Sequence, residues 1–369
     1  MVKSLWLDGG RIFAAGEVIH GAVGISGQRI TALRTRAPKG VKTIDVRGCY
    51  VAPGFIDLHV WGEPDVLSRE LPQQGTTAFL TTLGPEPPGR LAREIKRRAS
   101  LLPTGPSTGA GLCGAACLGF HLEGPFLNPA RGGALPKRWM RAPSTRECAR
   151  LWHAAAGRIK MMMTLAPELR GAEAAIRWCR RHRVTVSLGH SDADERAAHR
   201  GVQAGATAVT HVFNGMPPLH HRRPSLIDVA LNDSRLTTMA ILDGVHLSPS
   251  AFRLLVKAKG VDRIALVTDS IRRAGWEVVR RGRAFYRRGG TLAGSALSMT
   301  RAVRNAVELG GVSLPEAVRM ATEVPARLIG DRARGTLKIG APADLVVFDR
   351  NFGVRMTLVG GRVVYQRGQ

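Results

Sequence analysis

The chain is poor in cysteine, in lysine and in aromatic residues, and it has no long apolar run. Five cysteines in 369 residues, an odd number without dense spacing, argue against a disulfide framework. Cys113 and Cys117 have the spacing of a metal half-site. No second Cys or His pair stands at finger-like distance, so both are expected to be small buried hydrophobes. No uncharged apolar stretch approaches the roughly 18 residues of a membrane helix. The opening MVKSLWLDGG has no apolar stretch of the secretory kind, and a cytoplasmic location is the default expectation. What is abundant is positive charge: Lys+Arg number 54 against 28 Asp+Glu, a net +26. Such an excess raises nucleic acid or an anionic membrane as a partner. The basic residues are almost all Arg, however. They are scattered through every segment, as GC-rich codon usage would scatter them, and aromatics make up only 5% of the chain. Neither nucleic acid nor membrane is expected as the main partner. The densest runs, residues 177–183 and 280–288, fall on an expected helix and an expected loop, where a solvated face is the ordinary reading. With 44% apolar residues, the chain can bury a core and is not disordered.

Residues 1–51 alternate apolar and polar in short runs broken by Gly, Pro and Asp, which predicts small antiparallel strands. ADLVVFD at 343–349 and the stretch after it have the same texture. Between these ends, apolar runs of strand length alternate with longer amphipathic stretches such as AEAAIRWCRRHR, the rhythm of a parallel sheet with crossover helices. The expected fold is therefore α/β: a (β/α)8 TIM-type barrel over residues 52–340, with a small β-sandwich domain built from both termini, 1–51 and 341–369.

Five strand-like runs each end in an ionisable side chain: AACLGFHLE at Glu123, VTVSLGH at His190, TAVTH at His211, TMAILDGVH at His246 and IALVTD at Asp269. Strand C-termini of a parallel barrel share one face, so these residues are expected to converge. One carboxylate and two imidazoles, Glu123, His190 and His211, suit a zinc-type centre with an open position for water; Fe, Co or Mn suit the same donors. Asp269, at the end of the last strand, is placed to move a proton. Metal-assisted hydrolysis is the expected reaction class. His220, His221, Arg222 and Arg223 offer donors for a phosphate or carboxylate, or form a solvated basic loop.

These residues sit in motifs with a known likeness. VAPGFIDLH at 51–59, GFHLEGPFLNP at 119–129, TLAPE at 164–168, LGHSDA at 188–193, THVFNGMPPLHHR at 210–222, LDGVH at 242–246, LVTDS at 266–270, LAGSALSM at 292–299 and GTLKIGAPADLVVFD at 335–349 resemble the N-acetylglucosamine-6-phosphate deacetylase family of the amidohydrolase superfamily. The matches run in order across nearly the whole chain. The resemblance implies metal ligation by Glu123, His190 and His211, a catalytic role for Asp269, and substrate contacts from Asn214, Gly215, His246 and the segment Leu292, Ala293 and Gly294. It also implies a phosphate-binding Arg222 that reaches the site across a homodimer interface. The implied reaction is deacetylation of the sugar phosphate to glucosamine 6-phosphate and acetate, with one divalent metal ion per subunit.

The chain departs from the family's pattern at three places. Trp61 stands where many amidohydrolases have the second His of His-x-His, leaving His59, for which packing or support is expected. Leu135 stands where a substrate-contacting His usually falls, and it cannot supply that hydrogen bond. HHRRPS places Arg223 and Ser225 where the family has Glu and Gly. Two other readings follow: an amidohydrolase of the same architecture acting on another N-acyl or cyclic amide substrate, and a catalytically weakened protein that binds a sugar phosphate or a polyanion.

Overall fold

Eight apolar runs pair in parallel in the order in which they occur: β1 (Phe55–Trp61), β2 (Thr76–Leu83), β3 (Ala116–Glu123), β4 (Lys160–Leu165), β5 (Thr185–Leu188), β6 (Ala208–Val209), β7 (Thr237–Ala240) and β8 (Ile264–Leu266). This computed structural model describes residues 4–14, 16–102, 113–155, 159–272 and 277–368. Every residue of β1 and β2 is buried, as expected of strands covered on both faces. The sheet curls closed at one point. Val267 N–H donates to Ala240 O at the end of β7, and Asp269 N–H donates to His59 O in β1 at 2.8 Å. Ser270 and Ile271 then pair in parallel with Val60 and Trp61.

The crossover helices follow from the amphipathic stretches. In Ala172–Arg181 the buried residues are Ala172, Ala175, Ile176 and Cys179, one stripe at helical spacing. The arginines of the same helix lie on its other faces, Arg177 pairing with Glu173 at 2.7 Å. Ser144, Asp194, Ser225, Ser248, Ser298 and Ser313 cap helix N-termini with side-chain oxygens, each contributing about 1 kcal/mol. Ser225 also forms a reciprocal capping box with Asp228, which gives this departure from the family's Gly a structural cause.

Both ends of the chain contribute to a second, eight-stranded sheet. The C-terminal strand Leu345–Phe348 pairs antiparallel with Tyr50–Pro53, Val347 opposite Val51. The sheet encloses its own apolar cluster, including Leu7, Ile12, Val23, Leu345 and Leu358. Three expectations need correction. The N-terminal strands are not all antiparallel, because Ser4–Ala14 pairs in parallel with Thr43–Asp45 and Tyr50–Pro53. Residues 280–288 are not a loop: Val278–Arg281 and Ala284–Arg287 form an antiparallel hairpin, with Gly282 at φ 60° in its two-residue turn, the left-handed geometry such turns require. Cys117, Cys148 and Cys179 are buried, but Cys113 is exposed. Among the described residues no helix is long and apolar enough to cross a membrane.

Candidate active site

Side chains alternate across a strand, so Asp57, His59 and Trp61 of β1 share a face. All three are buried, and they begin the site. Asp57 lies deepest, accepting from the Thr268 hydroxyl at 2.6 Å, and burial pushes its carboxyl up to about 6. His59 and His121 bring their Nδ1 atoms within 2.7 Å. From His121 a ladder of buried hydroxyls runs through the barrel, by way of Thr164 at 2.7 Å and Thr210 at 2.7 Å to Ser187 at 2.6 Å. Burial and the neighbouring His59 keep His121 well below the ordinary imidazole range, hence neutral.

Above this layer the strand ends converge. Glu123 Oε1 lies 2.9 Å from His190 Nε2 and 2.8 Å from His211 Nε2. Asp269 completes the cluster: its Oδ1 accepts from the Trp61 indole N–H at 2.9 Å and lies 3.1 Å from His59 Nε2. His190, His211 and Asp269 have φ of 48°, 28° and 49°, a region that side-chain-bearing residues rarely occupy and that concentrates at functional sites. Gly215 and Gly294 permit the crowding. A Cβ at Gly215 would sit 2.9 Å from His190 Nδ1, and one at Gly294 would sit 2.8 Å from the Asp269 carbonyl oxygen.

The electrostatics call for a cation. Burial pushes the Glu123 carboxyl up, but His59, His190 and His211 outweigh it and hold it well below the usual carboxylate range. Burial disfavours a charged His59, yet Glu123 and Asp269 raise it to about 9. His59 Nε2 points between those carboxylates without hydrogen-bond alignment to either. Burial opposes charge on the His190 ring, but Glu123 outweighs it and raises His190 above the ordinary imidazole value. His190 Nδ1 lies 2.8 Å from the Arg131 carbonyl oxygen, which only accepts, so Nδ1 carries a proton, and whenever the ring is neutral its lone pair is at Nε2. That lone pair faces a carboxylate oxygen, an arrangement that is repulsive unless a proton or a metal ion lies between them. Ligand atoms of His59, Glu123 and His211 also lie within 4.8 Å of one another. The residues present therefore fit a divalent metal with nitrogen and oxygen donors, with His59 close enough to take part.

A cavity of about 240 Å³ opens over this cluster. Asn214, Gly215 and His246 line one part of it and Trp61, Ala134 and Leu135 another, with Leu292 and Ala293 at its edge. Asp243 accepts from His246 Nδ1 at 2.7 Å and fixes that ring. Gly294 stands behind Asp269 and does not line the cavity. Arg222 also lies outside the lining; it is exposed, 2.9 Å from His221 Nε2. Sequence reasoning gave His59 packing or support and Trp61 no role, whereas both face Asp269. Their period-two spacing after Asp57 is the signal that could have found them. His121 had no such signal, because it lies inside β3 with no change of pattern.

Residues 50–364 match the Amidohydrolase family. The chain is 34% identical over 393 residues to N-acetylglucosamine-6-phosphate deacetylase of Bacillus subtilis (strain 168), covering 99% of this chain and 98% of the relative. It is 34% identical over 336 residues to N-acetylgalactosamine-6-phosphate deacetylase of Escherichia coli O157:H7, covering 85% and 87%. The structure of a mutant N-acetyl-D-glucosamine-6-phosphate deacetylase from Mycobacterium smegmatis, in complex with N-acetyl-D-glucosamine-6-phosphate, superposes with a TM-score of 0.87 at 30% identity, covering 99% and 100%. Family, fold and a donor set that could bind a metal ion agree: the chain belongs to the amidohydrolase family, whose members are metal-dependent.

Proposed function

We propose that the protein hydrolyses the acetamide of N-acetylglucosamine 6-phosphate to glucosamine 6-phosphate and acetate. The observation that carries this reading is the meeting of Glu123, His190, His211 and Asp269 beneath a cavity whose polar part presents Asn214 and a fixed His246. Glu123, His190 and His211 would hold one divalent ion, zinc by preference, with Fe, Co or Mn as alternatives. When bound, that ion supplies Lewis-acid polarisation of the acyl oxygen and a more acidic water.

The remaining chemistry belongs to the chain. Trap of one Asp269 oxygen by the Trp61 N–H leaves Oδ2 to take the water proton as the new C–O bond forms. Asp269 then delivers that proton to the nitrogen as the C–N bond breaks, releasing the amine and acetate. His246, held by Asp243, binds a sugar hydroxyl, and Asn214 and the Gly215 backbone flank the amide. Arg222 does not line the cavity of its own protomer, and we assign it to the phosphate of a neighbouring site in a homodimer. We also propose that the reaction takes place in the cytoplasm.

The test is acetate release from N-acetylglucosamine 6-phosphate after metal reconstitution, with N-acetylgalactosamine 6-phosphate alongside to fix the epimer. Asp269→Asn should cut turnover by about 10³-fold with circular dichroism and metal content unchanged. Glu123→Gln should lose the metal, read by elemental analysis. Parental turnover in a folded, metal-loaded Asp269→Asn protein excludes the mechanism.

A further inference from the structure

The reaction cavity has a neighbour. A second cavity, about 250 Å³, lies at the C-terminal ends of β1 and β2. Among the described residues, Trp61 is the one that lines both. Its indole is only 5% exposed and is fixed at two points. The N–H is bonded to Asp269, and the ring belongs to a cluster with Leu127, Leu135, Met140 and Ile271. Gly84 makes room for it: a Cβ there would lie 3.1 Å from the ring and 3.4 Å from Leu135.

Beside the far side of the ring, Leu83, Pro85 and Pro136 give the second cavity an apolar part, while Thr82, Glu63, Glu86, Arg90, Glu94 and Arg98 make the rest of its lining polar. Two of its acids are already paired, Glu63 with Arg97 and Arg98 at 2.6 and 2.7 Å and Glu94 with the same two arginines at 2.6 and 2.8 Å. Entry of a chain would not strip those charges of their partners. The orientation of the substrate follows from the lining. The reacting carbon must sit beside Asp269, sugar hydroxyls require the polar part of the cavity, and the acyl group is left the apolar wall of Trp61 and Leu135.

We propose that Trp61 determines which acyl group is removed. Its indole is the partition that stops the acyl chain at acetyl, and the second cavity is the space a longer chain enters when the ring is cut back. This rests on the N-acyl sugar phosphate reading above. The same residue positions Asp269 through its N–H, and the two roles separate by substitution.

The experiment measures kcat/KM for N-acetyl- and N-butanoylglucosamine 6-phosphate. The metal-loaded parent should prefer acetyl by about 100-fold, within the range that excess methylenes command. Trp61→Ala should lower that preference at least about 10-fold. Trp61→Phe, which keeps a ring but loses the N–H, should lower kcat on both substrates and keep the preference. Trp61→Leu, which retains an apolar side chain in the cluster, serves if the alanine protein does not fold. Where turnover is too slow, the preference is read as relative affinity of the metal-free variants by calorimetry. A parent that takes both substrates equally, or a folded Trp61→Ala or Trp61→Leu protein with the parental preference, overturns the proposal. Hydrolysis of neither substrate by the parent removes the function proposed above, and this inference with it.

Discussion

His190, His211 and Asp269 hold backbone angles that cost on the order of 1 kcal/mol each or more. They persist because each is held at more than one point: His190 by Arg131 O and Glu123, His211 by Glu123 and by the Asn214 N–H on its carbonyl oxygen, Asp269 by Trp61 and by its own N–H to His59 O. Leu135 carries a different cost. Where the family places a polar contact, this chain has a buried leucine packed with Trp61 and Met140, so its removal leaves a void instead of a missing hydrogen bond. Leu135→Ala should lower the unfolding free energy by about 2–3 kcal/mol, measured by denaturant titration. If the loss is under about 0.5 kcal/mol, Leu135 is not the packing element described.

Strain away from the site has no such support. The helix Ala172–Arg181 ends in a Schellman motif, in which Val184 N–H donates to Cys179 O at 2.9 Å and Arg183 N–H to Arg180 O at 3.1 Å. Arg183 occupies the left-handed position at φ 58°, where glycine is preferred. Arg183→Gly should therefore stabilise by about 0.5–1 kcal/mol, seen as a melting point raised by about 1–2 °C; a fall would mean that the Arg183 side chain contributes more than its backbone costs. At this scale the sequence was readable wherever pattern and chemistry changed together. The runs leading to Glu123, His190 and His211 read as strands because apolar residues stop at an ionisable one. The hairpin at 278–287 was not readable, because five arginines within residues 280–288 hide its alternation. Trp61 read only as the loss of a second His, since nothing around it in the sequence points to a partner. Only the return of the last strand to β1 shows that its N–H meets a carboxylate.

For the molecule as a whole, the charge of +26 favours expansion through self-repulsion. Raising salt from about 20 to about 300 mM at neutral pH shortens the Debye length severalfold and should raise the melting temperature; a fall would mean that ion pairs outweigh the repulsion. Acid should act in the opposite direction. The Arg97 hydrogen bond holds Glu94 at about 2, and that of Arg235 holds Asp233 at about 2. Both lie below their unfolded values, so their stabilisation is present above about pH 4 and is lost as the pH falls toward 2. Scanning calorimetry from pH 5 to pH 2.5 reads the decline. The barrel and the joining of both termini were legible in the order of elements, but the closure was not, because it depends on Ser270 and Ile271, too short a run to read as a strand. Asp269 stands at that seam, its N–H on His59 and the next residues paired with β1. Assembly and the proposed catalysis thus share one clasp. A chain that has paired its eight strands but not met its own beginning lacks Asp269 beside Glu123, His190 and His211, so under the proposed mechanism the return of activity during refolding is a clock for the moment the ring shuts.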